Sequence, residues 1–376
     1  MGKIDELIKQ FCPDGVQKVP LGDVLDYEQP SKYIVKSTEY DNSYNIPVLT
    51  AGKGFLLGYT NEQAGVYAAS EENPTIIFDD FVTSFHWVDF PFKVKSSAMK
   101  MLTCKNKGNS FRFIYYAMCE IGFVAKEHSR HWISVYSKIE IPLPPLAVQK
   151  KIVEILDTFT GMIANLQEEL EQRQKQFEYY RNQLLVFKDG KIKNITIGKV
   201  GDIGKICMCK RIMKSQTNTV CGIPFYKIGT FGKDADAYIS KDVFEEYKKL
   251  YSYPKNGDVL MSASGTIGRT VVFDGKPSYF QDSNIVWVDN DEKKVLNSYL
   301  KYYYQIAKWE TQGGTIKRLY NSLLASTEII YPSLEKQQEI VDKLDTFEAL
   351  ISNIKQEIEL RQKQYEYYRE KLLTFE

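Results

Sequence analysis

The chain has 376 residues, enough for two or three domains that each bury a core, and its 43% hydrophobic, 26% charged composition with net charge +1 is that of an ordinary globular protein. No apolar run approaches the length of a membrane span, and MGKIDELIKQF lacks the apolar centre of a secretory signal. Six scattered cysteines without a disulfide-like spacing suit reduced thiols, so the expected location is cytoplasmic.

In chain order, the reading is four segments. Residues 1–143 form a leader and a first strand-rich block, 144–187 a long helix, 188–331 a second strand-rich block, and 332–376 a second long helix. The first block alternates short β-branched and aromatic runs with turn residues: NIPVLTAGKGFLLGYT, PTIIFDD and FPFKVKSS. The second does the same with IPFYKIGTF, GDVLMSASGTIGRTVVF and NIVWVD. The two blocks resemble each other faintly: IPVL (46–49) sits like IPFY (223–226), and FRFIYYAM (111–118) like SYLKYYYQIA (298–307).

The helices, by contrast, are duplicated almost verbatim. Pro144–Phe187 and Pro332–Phe375 align without a gap, and 24 of 44 positions are identical. RQKQFEYYR (173–181) returns as RQKQYEYYR (361–369). Leu156, Phe159, Ile163, Leu170, Arg173, Phe177 and Tyr180 keep a heptad step in the first copy. Leu344, Phe347, Ile351, Ile358, Arg361, Tyr365 and Tyr368 keep it in the second. Two equal seams in one chain predict an antiparallel coiled coil, with Arg173 and Arg361 as polar seam residues that fix register. The expected fold class is α+β, with two strand-rich domains in a pseudo-two-fold arrangement separated by two long antiparallel coiled-coil helices.

Charge is uneven along the chain. Residues 1–143 hold 15 Lys and Arg against 17 Asp and Glu, a net of −2, whereas 188–331 hold 22 against 15, a net of +7. The second block is therefore suited to an anionic partner.

Catalytic signatures are missing from the sequence. There is no phosphate-binding Gly-x-x-x-x-Gly-Lys-Ser/Thr and no His-Glu-x-x-His. Asp89-Phe-Pro-Phe92 is one residue from an amino-methyltransferase signature, but no Gly-rich strand–turn–helix accompanies it, so it reads as a strand end held by proline. His128-x-x-His131, and Cys207-Met-Cys209 with Cys221, are incomplete ligand sets, and no metal is expected. Three histidines without a paired nucleophile exclude covalent catalysis as the leading reading.

Binding chemistry remains. Reading DNA needs Arg, Lys, amides and hydroxyls on exposed loops. The first block offers Thr50 and Lys53 in TAGKGF, Ser84 and His86 after a strand, and Lys93, Lys95 and Lys100. The second offers Lys227, the loop SASGTIGR with Ser262, Ser264, Thr266 and Arg269, then Gln281, and finally Lys317 and Arg318 in GGTIKR. The backbone N–H groups of SASGTIGR are expected to approach a phosphate, with Arg269 reaching beyond them.

The chain resembles the specificity subunit of type I restriction–modification systems over its whole length. The resemblance rests on the duplicated Pro-x-Leu-x-x-Gln-x-x-Ile-Val-x-x-Leu-Asp helices with RQKQ(F/Y)EYYR, on the leader LIKQFCPDGVQKVPLGDV (7–24), and on GTIGR. TAGKGFLLGYTNE (50–62) and FDDFVTSFHWVDFPFKVKSSAMKML (78–102) look like a recurring variant of that family's recognition domain. The resemblance implies two target recognition domains reading the halves of a split double-stranded DNA site. It implies helices that set the gap and bind two methyltransferase subunits, with restriction/translocase subunits added for cleavage. It also implies a non-catalytic chain that binds no cofactor, with S-adenosylmethionine, ATP and magnesium used by the partners. The alternative that the helices alone allow is a coiled-coil scaffold without nucleic-acid binding.

Overall fold

The computed structural model describes residues 6, 10–13, 15–52, 54–187, 195–313 and 317–375. The chain divides into two compact units, Met1–Gln167 with Gln356–Glu376, and Glu168–Lys355.

In the first unit, β1 (Lys18–Pro20) leads through α1 (Leu21–Val24) into β2 (Leu25–Glu28), β3 (Ile46–Leu49) and β4 (Leu56–Thr60). Then come β5 (Thr75–Asp79), β6 (Phe85–Val88), β7 (Lys93–Val94), β8 (Met99–Cys104), α2 (Phe111–Cys119) and β9 (Glu140–Pro142). The main sheet has the order β2-β8-β5-β6, a second has the order β4-β3-β7, and β1 pairs with β9 at the root of the domain. The first four residues of TIIFD are all buried because both faces of β5 are covered, and the one polar side chain among them, Thr75, donates to the Leu102 carbonyl. Ile76 and Phe78 point with Leu102 towards α2, while Ile77 points with Met99 and Met101 towards Leu49 and Val94 of the second sheet. Truncating Ile76 to Ala in such a site costs about 2–5 kcal/mol.

The helix α3 (Leu146–Leu185) follows, and then the second domain repeats this plan. Its strands are β10 (Thr196–Lys199), β11 (Gly204–Cys207), β12 (Thr217–Asn218), β13 (Ile223–Tyr226) and β14 (Tyr238–Ile239). After α4 (Lys241–Leu250) come β15 (Val259–Ser262), β16 (Thr270–Val272), β17 (Tyr279–Phe280), β18 (Ile285–Asn290), α5 (Asn297–Tyr303), α6 (Asn321–Ser326) and β19 (Glu328–Tyr331). The main sheet is β11-β18-β15-β16, the second β12-β14-β13-β17, and β10 pairs with β19 at the root. Matched position by position, the main sheets have one strand order in both domains. In both, the second sheet contains one parallel pair, β3 with β7 and β13 with β17. Val259 and Met261 face α5, and Leu260, Ile285 and Trp287 face Phe225 and Tyr279. The α+β class and its two strand-rich domains are therefore as expected from the sequence.

The second long helix, α7, is Leu334–Leu373 and, like α3, has 40 residues. The two helices pair antiparallel. Phe159 stacks on Tyr368 in the first unit and Tyr180 on Phe347 in the second, each with ring centres 5.3 Å apart. These are the same pair carried by the two copies of the repeat.

Two details of the expected seam are corrected. Val148, Ile152 and Leu156 join the core of the first domain with Trp132 and Tyr136, so that part of the heptad stripe packs on the domain as well as on the partner helix. Ile340 and Leu344 join the second core in the same way. Arg173 and Arg361 do not bridge the helices. Arg173 bonds Glu169 and Gln176, and Arg361 bonds Glu357 and Gln364, because carboxylates one turn earlier on the same helix are nearer. No described helix is long and apolar enough to cross a membrane.

Candidate nucleic-acid interface

The turns of each domain gather at one end of its main sheet. In the first domain, His86 Nε2 lies 3.0 Å from the Gly52 carbonyl and its ring packs on Phe55. Asp80 N donates to Ala98 O at 2.8 Å. Phe81 stacks on His128 at 4.7 Å, and Arg130 reaches the Ser97 carbonyl at 3.5 Å. The turns around 50–55, 79–84, 95–98 and 126–131 therefore form one surface. In the second domain the matching turns are tied by Ser264 Oγ to Asn284 Oδ1 at 2.8 Å, by Ile228 N to Gln281 Oε1 at 2.9 Å, and by a backbone bridge between Ser264 and Arg318. Thr83 (φ 59°) and Ser283 (φ 53°) adopt left-handed backbone at these ends, one in each domain. Such conformations persist where the surrounding contacts hold them, and they cluster at binding sites.

The residues expected to touch DNA in the first domain separate into two groups. Thr50 accepts from Gly52 N across its own turn, Ser84 lies at the hairpin end with its Oγ buried and unpartnered among the described residues, and Lys95 is exposed. Lys53 lies outside the described residues. Lys93 and Lys100, however, are core residues, 2% and 1% exposed. Lys93 Nζ bonds the Ala64 carbonyl at 2.5 Å and Glu62 at 3.0 Å. Lys100 Nζ pairs with Asp80 at 3.2 Å and sits 4.5 Å from the Tyr27 ring centre. An ammonium buried with its own carboxylate has no charge to offer a phosphate, so both are withdrawn as DNA contacts.

In the second domain, Thr266, Lys317 and Arg318 are exposed as expected. Lys227 pairs with Asp236 at 2.8 Å, and Gln281 uses its Oε1 on Ile228 N. Ser262 is buried, donating to Thr266 O at 2.5 Å and accepting from Arg269 N at 3.0 Å. Arg269 turns inward, its Nη1 donating to Phe231 O at 3.0 Å. Gly268 (φ 84°) lies so close to Trp309 that an added Cβ would stand 2.4 Å from Nε1. GTIGR is thus a tight turn that positions the loop end, and the expectation that Arg269 reaches outward beyond it is corrected.

What this turn supports is a cavity of about 710 Å³, lined by Arg211, Lys214, Asn218, Lys227, Gln281, Asn284 and Arg318, with Asp236 and Asp282 among them. Arg211 is held by Asp282 at 3.0 Å. Asn218 Oδ1 accepts from Val220 N and Cys221 N, which fixes its amide. Guanidinium, amide and carboxylate groups are the side chains that pair with guanine, adenine and cytosine edges, and the flanking cations suit phosphates. The sequence points to Asn284 as one of the amides of YFQDSN (279–284) but not to Arg211 or Asn218, nor in the first domain to Arg130, which shares Asp80 with Lys100 at 3.6 Å. The signal for them lies in CKR (209–211) and in HSRH (128–131), where a cation stands beside residues of metal-ligand type.

The other sequence motifs find structural roles. Phe92 of Asp89-Phe-Pro-Phe92 is fully buried, and its backbone exchanges hydrogen bonds with Tyr67. His131 bonds the Glu127 carbonyl while His128 stacks on Phe81. Cys207 and Cys209 are buried in an aromatic core. Among the described residues, no three His, Cys, Asp or Glu side chains converge as metal ligands.

Comparison with known proteins agrees with this arrangement. The family described as the type I restriction modification DNA specificity domain matches residues 13–172 and again 192–360. The chain is 45% identical over 379 residues to a type I restriction enzyme specificity subunit of Haemophilus influenzae by name, covering 96% of each chain. It is 39% identical over 407 residues to the EcoR124I/EcoR124II specificity subunit of Escherichia coli, covering 100% of this chain and 98% of the other. The crystal structure of a type I restriction–modification S subunit from M. genitalium shares the fold, with a TM-score of 0.61 at 13% identity over 95% of this chain and 96% of the other.

Proposed function

The chain belongs to the type I restriction–modification specificity-subunit family, and we propose that it reads a two-part DNA sequence, one part with each strand-rich domain. Family membership makes it a non-catalytic DNA-specificity subunit rather than a scaffold alone. The observation that carries the two-reader proposal is one sheet order occurring twice with different side chains at the loop end. A constant frame holds two surfaces that are free to differ. In the second domain the reading surface is the cavity around Arg211, Asn218, Asn284 and Arg318. In the first it is the end that carries Lys95, Arg130 and the turn at Thr50.

The helices are the ruler. Forty residues rise about 60 Å, which is between one and two turns of DNA at about 3.4 Å per base pair. They also carry exposed apolar residues at equivalent places, Met162 with Leu350 and Tyr179 with Tyr367. Two equivalent patches suit two copies of one partner, the methyltransferase subunit, with restriction subunits joining the same cytoplasmic assembly. S-adenosylmethionine, ATP and magnesium are used by those partners. A Tyr179→Glu, Tyr367→Glu variant should fail to co-purify with the methyltransferase; full retention removes this docking surface.

The test of function is the methylome of a strain with and without this gene, repeated after exchange of residues 19–143 for another family member's first domain. The expected result is a bipartite methylated site in which the exchange alters one half. A change in both halves sinks the two-reader reading, and the absence of any gene-dependent methylation sinks the function.

A further inference from the structure

Each domain meets the long helices through three polar contacts, and the same three recur in both units. First, a fully buried glutamine stands at the start of each long helix. Gln149 accepts from Ser110 N at 2.8 Å and donates to Pro144 O at 2.8 Å. Gln337 accepts from Leu296 N at 2.8 Å and donates to Pro332 O at 2.9 Å. Ser110 and Leu296 are the residues that cap α2 and α5. Second, an aspartate two turns further on accepts from a buried tyrosine, Asp157 from Tyr116 at 2.5 Å and Asp345 from Tyr302. Third, the closing arginine of each RQKQ(F/Y)EYYR reaches the stretch that follows the domain helix, one residue past α2 at Glu120 and two residues past α5 at Gln305. Arg369 donates to Glu120, and Arg181 donates to Gln305 at 2.9 Å.

The helix members of these contacts lie in the near-verbatim repeat, whereas the domain members lie in blocks with little sequence similarity. The domain members nonetheless keep their spacing, six residues from Ser110 to Tyr116 and six from Leu296 to Tyr302. The cation beside each aspartate shows the same constraint by a different route. Arg112, one turn before Tyr116, reaches Asp157 at 2.8 Å. Lys301, adjacent to Tyr302, reaches Asp345 at 3.2 Å and also Glu348. One carboxylate in each helix is answered by a cation that arrives from a different position on the domain.

Apolar packing alone lets a helix slide and rotate on its support, whereas directional hydrogen bonds to buried partners select one geometry. We propose that these contacts fix the angle at which each recognition domain leaves the helices. Asp157, Asp345, Arg181 and Arg369 are then positioning residues that restrict the spacer between half-sites. This rests on the two-reader function proposed above.

The experiment uses the reconstituted complex of the full chain with its methyltransferase partner. Its substrates are a DNA library carrying both half-sites at spacers one or two base pairs longer and shorter than the preferred length. Arg181→Ala and Asp345→Asn should raise methylation at the non-preferred spacers, relative to the preferred one, by about tenfold, the scale of one charge-assisted hydrogen bond. Arg181→Lys should restore the narrow profile. A core variant remote from the clamp, Phe244→Leu in the separate core under α4, should lower the melting temperature without widening the profile. An unchanged spacer profile in folded Arg181→Ala overturns the proposal, as does equal widening by Phe244→Leu. A wild-type complex that methylates no bipartite DNA overturns instead the function on which the proposal rests.

Discussion

The two domains share one strand order and one way of covering both faces of the main sheet, yet their surfaces are built from opposite resources. The first has a net charge of −2 over residues 1–143 and places Lys93 and Lys100 inside its core. The second has a net charge of +7 over residues 188–331 and arranges cations around an open cavity. Sheet order is thus indifferent to what the loop end carries, and recognition is set by side chains that the core does not constrain. The difference also predicts a division of labour, with the second domain supplying most of the electrostatic attraction to DNA and the first supplying discrimination.

The sharpest way to break the comparison is to attack the internal charge of the first domain. Asp80 is 1% exposed and holds Lys100 at 3.2 Å, while its Oδ1 accepts from Trp132 N at 2.8 Å. Asp80→Ala leaves a buried ammonium without its partner and should cost about 3–5 kcal/mol, read by thermal or urea unfolding of the full chain. A loss below about 1 kcal/mol would mean that Lys100 escapes to solvent, and it would return to the list of DNA contacts. The next effect lies in the second domain. Arg211→Ala and Arg318→Ala should each weaken binding of the assembled complex to its site by about 1–3 kcal/mol, in a fluorescence titration at fixed salt. They should also flatten the salt dependence, because each removes a cation from the interface. Lys93→Met, if folded, should leave that slope unchanged; an equal flattening would erase the proposed contrast between the domains. The smallest effect is a footprint. Burial pushes the Cys209 thiol up to about 12 and the Cys119 thiol up to about 11, so both stay protonated at neutral pH and resist alkylation. Cys221 is exposed beside Asn218 and should react first, and cognate DNA should slow its labelling. Labelling at the same rate with DNA bound would move the interface away from this rim.

Much of the frame was legible from residue periodicity. The heptad step and the proline-bounded repeat place two equal helices, because an apolar stripe at helical spacing has few other uses. The run TIIF was legible as a strand for the same kind of reason. The site was far less legible. Lys93 and Lys100 lie in a stretch whose alternation looks the same whether the lysines face water or an aspartate. Only the register of β5 against β8 brings Asp80 and Lys100 together. Arg269 likewise follows a glycine-rich turn suggestive of phosphate binding, but a neighbouring loop supplies the Phe231 carbonyl that captures it.

By itself, then, the sequence determined the composition class, the presence of two long helices of equal length, the duplication, and the residue types available for recognition. These follow from local propensity and spacing. Tertiary structure alone decided which cations stay outside, that two blocks with little common sequence share a strand order, and that the closing arginine of the repeated stretch grips the domain helix. Those outcomes depend on pairings between residues tens to hundreds of positions apart. In a packed interior, the partner a charge meets is set by strand register and helix crossing rather than by its neighbours in the chain.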